Sequence, residues 1–184
     1  ITNERIYTVI RDKKQIQIMS KDIVPGDILL LKRNEESPCD ICILLSSNAD
    51  GKFCSETANL DGETNLKERF APKQTQCLQI EGIRTKLIYI QCSPPNENLY
   101  EFNSTLFIES MSSEAIPINE NQLVQHGVFI RNVDFIWGVV CYTGKQTKMA
   151  LNTQPPPIKW TEIEKIVNKT SIGIFIAQII IALI

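Results

Sequence analysis

Histidine is nearly missing from this 184-residue chain: His126 is the only one. It lies far from Cys39 and Cys42, which form a C-x-x-C, and no second pair with zinc spacing follows. A structural zinc site needs four such ligands, so the set is incomplete. An excess of basic charge is also absent: 19 lysines and arginines against 21 acidic residues give a net charge of −2. That gives no general case for nucleic-acid binding, which depends on a basic face. No glycine-rich loop of the G-x-x-x-x-G-K-[ST] kind occurs, nor a kinase-type glycine loop, so the chain carries no nucleotide cradle of its own. Six cysteines are too few for a disulfide scaffold of this length. Several sit inside apolar runs such as "CDICILL" and "VVCYTG", where cysteine behaves as a small buried hydrophobe. No signal peptide opens the sequence, which starts within the alternating stretch "RIYTVI". A reducing, cytosolic setting is the simplest expectation.

A hydrophobic content of 43% is that of a folded protein, and the length suits one domain with a short appendage. Residues 5 to about 145 read as many short strands. "RIYTVIR" and "KQIQIMS" flank the polar break "DKK", and Pro25 and Gly26 make a turn before "DILLLKR". "CDICILLSS", "KLIYIQCS", "STLFIES", "GVFIRN" and "DFIWGVVCYTG" follow, rich in β-branched and aromatic residues and separated by Gly, Pro, Asn and Ser. Such spacing predicts a β-sandwich or distorted barrel. "ETNLKERF" is expected to be helical, Ser110–Gln122 an irregular surface loop, and Lys145–Met149 ("KQTKM") a solvated loop. Trp137 is expected in a core strand, and His126 in a loop at a strand start.

The end of the chain differs in kind. Pro155–Pro157 predict a stiff, extended linker over residues 153–158. Thr161 and Glu164 have capping-box spacing for a helix start. From Ser171 to Ile184 only Ser171 and Gln178 are notably polar, and the run is still apolar at its last residue. This predicts the start of a transmembrane helix over 159–184, with Trp160 as an interfacial anchor. A buried core helix is the competing expectation, against which a β domain of this size offers few partners for an all-round apolar helix.

One corner concentrates polar chemistry: "LDGETNLK", Leu60–Lys67, with Asp61 and Glu63 flanking Gly62 and Thr64 and Asn65 following. By itself Asp-Gly is an ordinary turn dipeptide. Four ordered segments give it more weight. "DIVPGDILLL" leads into "SPCDICILLSS", and "ETANLDGETNLK" spans Glu56–Lys67. "PPNENLYEF" spans Pro94–Phe102, and "GVFIRNVDFIWGVVCYTGKQTKMALN" spans Gly127–Asn152. Together they resemble the actuator domain of type IV P-type ATPases, the phospholipid flippases, and cover most of residues 1–152. Cation pumps of the same superfamily usually have TGES where this chain has DGET. Pro25, Cys39, Ser104 and Val133 depart from the flippase pattern, outside the corner.

The resemblance implies a distorted, jelly-roll-like β-sandwich with short helices over residues 1–152, and a truncated transmembrane helix at the C-terminus. It implies catalytic roles around an aspartyl-phosphate formed on another domain. Glu63 would orient and deprotonate the hydrolytic water, and Gly62 would let the backbone approach the phosphate. Thr64 would offer a hydroxyl, and Asp61 would brace the loop through backbone N–H groups, with Asn65 and Lys67 fixing the loop or docking on neighbouring domains. ATP and Mg2+ would be bound by domains outside this chain, with neither cofactor nor metal held here. Implied partners are the phosphorylation and nucleotide-binding domains of the same polypeptide, membrane phospholipid and the family's accessory β-subunit, with no nucleic acid. Residues 1–157 would face the cytosol and the tail would enter the membrane. A second expectation, of another class, is a non-catalytic regulatory module fused to another enzyme. A D-K-T-G phosphorylation motif in the same polypeptide, absent from these 184 residues, would separate the two.

Overall fold

The computed structural model describes residues 4–109, 115–153 and 162–183. The chain divides after Thr153 into two compact units. The first is mainly β. Its strands are β1 (Ile6–Arg11), β2 (Lys14–Met19), β3 (Ile28–Lys32), β4 (Asp40–Ser46), β5 (Lys52–Glu56), β6 (Leu66–Phe70), β7 (Ile88–Gln91), β8 (Ser104–Ile108), β9 (Ile116–Ile118), β10 (Leu123–Val124), β11 (Phe129–Arg131) and β12 (Phe135–Tyr142). Short helices α1 (Ala58–Asp61), α2 (Lys73–Gln76), α3 (Gln79–Thr85) and α4 (Lys148–Asn152) lie between and after them.

The strands form three sheets. One has six strands in the order β10-β4-β12-β3-β1-β2; the others are β11-β5-β6 and β7-β8-β9. The polar break "DKK" is a two-residue hairpin turn: Asp12 and Lys13 both adopt positive φ, 50° and 63°, and Arg11 pairs with Lys14. Two positive φ values match the twist of the flanking strands, as a type I′ turn requires.

The central strands β4 and β12 of the six-stranded sheet are buried on both faces, whereas the edge strand β2 is largely exposed. Ile41, Ile43, Leu29, Leu31, Ile136 and Val140 point into one cluster with Phe53 and Ile130. Cys42, Leu44, Trp137, Val139 and Cys141 point into a second cluster with Ile83, Phe102, Leu106, Ile116 and Ile118. The opposite sides of β4 and β12 therefore feed separate cores, which is why β4 reads as an unbroken apolar run and not as an alternation. Trp137 is a core strand residue as expected, 5% exposed. At Gly138 a Cβ would lie 2.9 Å from the Cys42 carbonyl oxygen, so β12 approaches β4 more closely than a side chain allows.

Three expectations are corrected. "ETNLKERF" is not helical: α1 ends before it, α2 begins after it, and Leu66–Phe70 forms β6. Each β6 residue pairs with one of β5, from Glu56 with Leu66 to Lys52 with Phe70. Long-range pairing overrides the local helix preference of Lys and Glu. Within Ser110–Gln122, residues 110–114 lie outside the described residues and the rest is not an irregular surface loop. Ile116 and Ile118 are buried in β9, and Asn119 caps a 3-10 turn over Glu120–Gln122. Pro117 is tolerated because β9 is an edge strand. "KQTKM" is not a solvated loop: Lys145 and Gln146 are exposed, but Thr147 caps α4 and Lys148 is buried.

The second unit contains α5 (Glu162–Ala182), whose described side chains are exposed. Its apolar part from Ser171 spans about 18 Å at the helical rise, short of a bilayer core. Among the described residues no helix is long and apolar enough to cross a membrane. The proline linker, Trp160 and the Thr161 cap lie outside the described residues.

Candidate functional site

The polar corner is built where two chain directions meet. β5 ends at Glu56, α1 makes a single turn, and Gly62 ends that turn in the left-handed region at φ 75°. The Gly62 N–H donates to the Ala58 carbonyl at 3.1 Å, closing the turn and aiming the chain back along β6. Nothing lies within 4 Å of the place a Gly62 Cβ would occupy, so that face of the loop is open.

Asp61 is the hub of this corner. Its carboxylate accepts the Thr57 hydroxyl at 3.0 and 3.2 Å and the backbone N–H of Glu63 at 3.0 Å. Lys67 Nζ lies 2.6 Å from Asp61 Oδ2, and the Tyr100 hydroxyl donates to the same oxygen at 3.4 Å. Burial works against the ionised carboxyl, yet the Lys67 ammonium, the Glu63 amide and the Thr57 hydroxyl outweigh it. Together they hold Asp61 below the usual carboxylate range. The hydrogen bond from Lys67 to Asp61, with Glu63 adding to it, raises the lysine in turn.

Glu63 differs from its neighbour. Its side chain is 55% exposed against 10% for Asp61. Its one recorded side-chain partner among the described residues is Lys67, with Nζ 3.0 Å from Oε2. Thr64 and Asn65 are exposed beside it. Thus of two carboxylates flanking one glycine, Asp61 is consumed in fixing the backbone and Glu63 is presented to solvent. A fixed loop with an outward carboxylate is an arrangement that can hold a water or accept its proton.

A cleft of about 230 Å³ runs beside the corner, lined by Thr57, Asp61, Lys67, Arg69, Tyr100 and Gln125 among others. Burial lowers the Arg69 guanidinium, which bonds neutral groups: the Ser55 hydroxyl and the Glu120 carbonyl. A more voluminous groove, about 930 Å³, lies elsewhere on apolar walls that include Leu30, Leu45, Ile80, Phe135 and Trp137. It contains none of the corner residues. Among the described residues no cluster of His, Cys, Asp and Glu is arranged to hold a metal ion.

Sequence comparison identifies the family of the β unit. The P-type ATPase actuator domain matches residues 2–151. The chain belongs to that family. The actuator domain is 36% identical over 164 residues to the phospholipid-transporting ATPase DRS2 of Saccharomyces cerevisiae, covering 89% of this chain and 12% of that protein. It is 38% identical over 182 residues to the phospholipid-transporting ATPase IC of Mus musculus, covering 98% and 14%. It is 40% identical over 150 residues to the probable phospholipid-transporting ATPase 12 of Arabidopsis thaliana, covering 81% and 12%. The chain therefore spans about an eighth of the length of these relatives.

Sequence reasoning placed Asp61, Gly62, Glu63 and Thr64 together, and in the actuator domain they are. It did not find Thr57, Tyr100, Gln125 or Lys148 as supports. Tyr100 was visible in "NLYEF", but its contact with Asp61 crosses 39 residues.

Proposed function

We propose that this chain is the actuator domain of an ATP-driven phospholipid flippase, and that its DGET corner positions the water that hydrolyses an aspartyl-phosphate formed on another domain. The observation that carries the reading is the division of labour at the corner: Asp61 is spent on bracing the loop, and Glu63 is left outward-facing on a fixed backbone. The names of the relatives support the lipid-transporting branch of the family.

Hydrolysis of an aspartyl-phosphate needs a water in line with the phosphorus and a group to take its proton. Glu63 is that group. Gly62 brings backbone close to the phosphate, with no Cβ on the open face. The Thr64 hydroxyl bonds the phosphate or the water. Asp61 does not face the reaction, because a second free carboxylate would repel the phosphate. ATP and Mg2+ belong to the phosphorylation and nucleotide-binding domains of the same polypeptide, which are this domain's docking partners. In the whole transporter the lipid and an accessory β-subunit are further partners. The domain then lies on the cytosolic face, with the apolar end of α5 entering the membrane.

Glu63→Gln in the full-length transporter tests this. Phosphoenzyme forms from radiolabelled ATP at the wild-type rate, but its decay after a chase slows by about 10²- to 10⁴-fold, the usual cost of losing a general base. Decay at the wild-type rate would reduce Glu63 to a turn residue.

A further inference from the structure

Lys67 carries a long, rotatable stem and three donors, and left alone it would sample many rotamers. Two contacts fix it. Asp61 Oδ2 takes one donor at 2.6 Å, and the Tyr100 ring lies under the ammonium with 5.4 Å from Nζ to its centroid. That distance is within the range of a cation–π contact. With the ammonium held between carboxylate and ring, it reaches Glu63 Oε2 at 3.0 Å. Glu63 is otherwise more than half exposed, so this contact defines where its carboxylate sits.

Tyr100 does not serve the hydrophobic core: it is 62% exposed. The backbone on either side of it is nevertheless tied down. Gln125, itself buried, donates its Nε2 to the Leu99 carbonyl. Lys148, also buried, donates its Nζ to the Asn98 carbonyl at 2.8 Å and to Asn96 Oδ1 at 2.6 Å. Asn98 Oδ1 accepts the Tyr100 N–H at 3.1 Å. An exposed aromatic ring on so firmly anchored a loop is placed for a contact outside the core, and the contact it makes is with Lys67 and Asp61.

From these contacts we infer that Tyr100, on the Pro94–Phe102 segment, is a positioning residue for Glu63, acting through the Lys67 ammonium. The site is thus completed by a segment outside the DGET loop. The inference rests on the proposed role of Glu63 and deepens it.

The test uses the full-length transporter, with Tyr100→Leu, Tyr100→Phe, Glu63→Gln and the Tyr100→Leu/Glu63→Gln double variant. Phosphoenzyme formation and decay are read separately. Tyr100→Leu forms phosphoenzyme as fast as wild type and loses it about two- to five-fold more slowly, the size an exposed cation–π contact supports. Tyr100→Phe keeps the ring and decays like wild type. In the Glu63→Gln background Tyr100→Leu adds nothing, because its effect passes through Glu63. If Glu63→Gln is slow while Tyr100→Leu decays normally, the positioning role is wrong and the reading of the corner stands. Faster decay in Tyr100→Leu would make Lys67 a restraint on Glu63 and overturn the inference. Slowing of formation and decay alike, or further slowing on top of Glu63→Gln, would make Tyr100 merely structural. Normal decay in Glu63→Gln itself would remove the proposed function, and this inference with it.

Discussion

Asp40 accepts the backbone N–H of Lys148 at 2.7 Å across 108 residues of sequence, from a position with no solvent exposure. Its other oxygen accepts the His126 N–H at 2.8 Å. One carboxylate thus joins the start of β4 to the start of α4 and to the β10–β11 connection. Burial pushes this carboxyl up to about 6, although both N–H groups favour the ionised form.

The consequence is a pH dependence of unusual sign. A carboxyl with a raised folded-state pKa binds its proton more tightly folded than unfolded. Its contribution to stability is therefore greatest below about pH 4 and is lost as pH rises through about 6. Asp40→Asn offers one oxygen to two N–H groups and is less stable than wild type throughout, but it does not titrate. The gap in melting temperature between the two should narrow by several degrees from about pH 4 to about pH 7. A gap that widens over that range would place the folded pKa below the unfolded one.

Lys148→Met tests the anchoring of the Pro94–Phe102 segment. Methionine keeps an apolar stem but loses both bonds from Nζ and leaves the Asn98 carbonyl without that donor. A cost of about 1–3 kcal/mol is expected for buried groups left unsatisfied. Burial already lowers the lysine's pKa, so part of the charge penalty is relieved and the loss falls toward the lower end. Hydrogen exchange resolves the effect by place: amides near Leu99–Glu101 should lose protection, while those of β4 and β12 keep theirs.

What was legible in the sequence tracks how local its cause is. β4 and β12 could be read because long β-branched runs between turn residues have few alternatives, and the Asp12-Lys13 turn because its flanks pair with each other. "ETNLKERF" was misread because its strand character comes from β5, which the segment's own residues do not encode. Ile116–Ile118 hid behind Pro117, whose acceptance depends on an edge position that only the sheet order reveals. Lys148 looked solvated because charge patterns carry no record of Asn96 and Asn98 waiting some fifty residues away. At the corner, the grouping of Asp61, Gly62 and Glu63 is contiguous and therefore visible. Which carboxylate is buried is decided by Thr57, Lys67 and Tyr100, and the last of these comes from the connection between β7 and β8.

Gly62→Ala separates backbone geometry from chemistry at the corner. The open surroundings mean that an added methyl group meets no neighbour. The whole penalty therefore comes from holding an L-residue at φ 75°, about 1–2 kcal/mol. The chain can relieve that strain by unwinding the single turn of α1, which would pull the Glu63 N–H away from Asp61 Oδ1. Gly62→Asn is the control, since asparagine visits the left-handed region more readily and should cost less. Two measurements decide the matter: the melting temperature of the chain, and phosphoenzyme decay in the full-length transporter. Alanine should lower both stability and decay rate, with asparagine intermediate in each. If alanine destabilises the domain yet leaves decay at the wild-type rate, the positive-φ turn is needed for folding alone. The placement of Glu63 would then not depend on it.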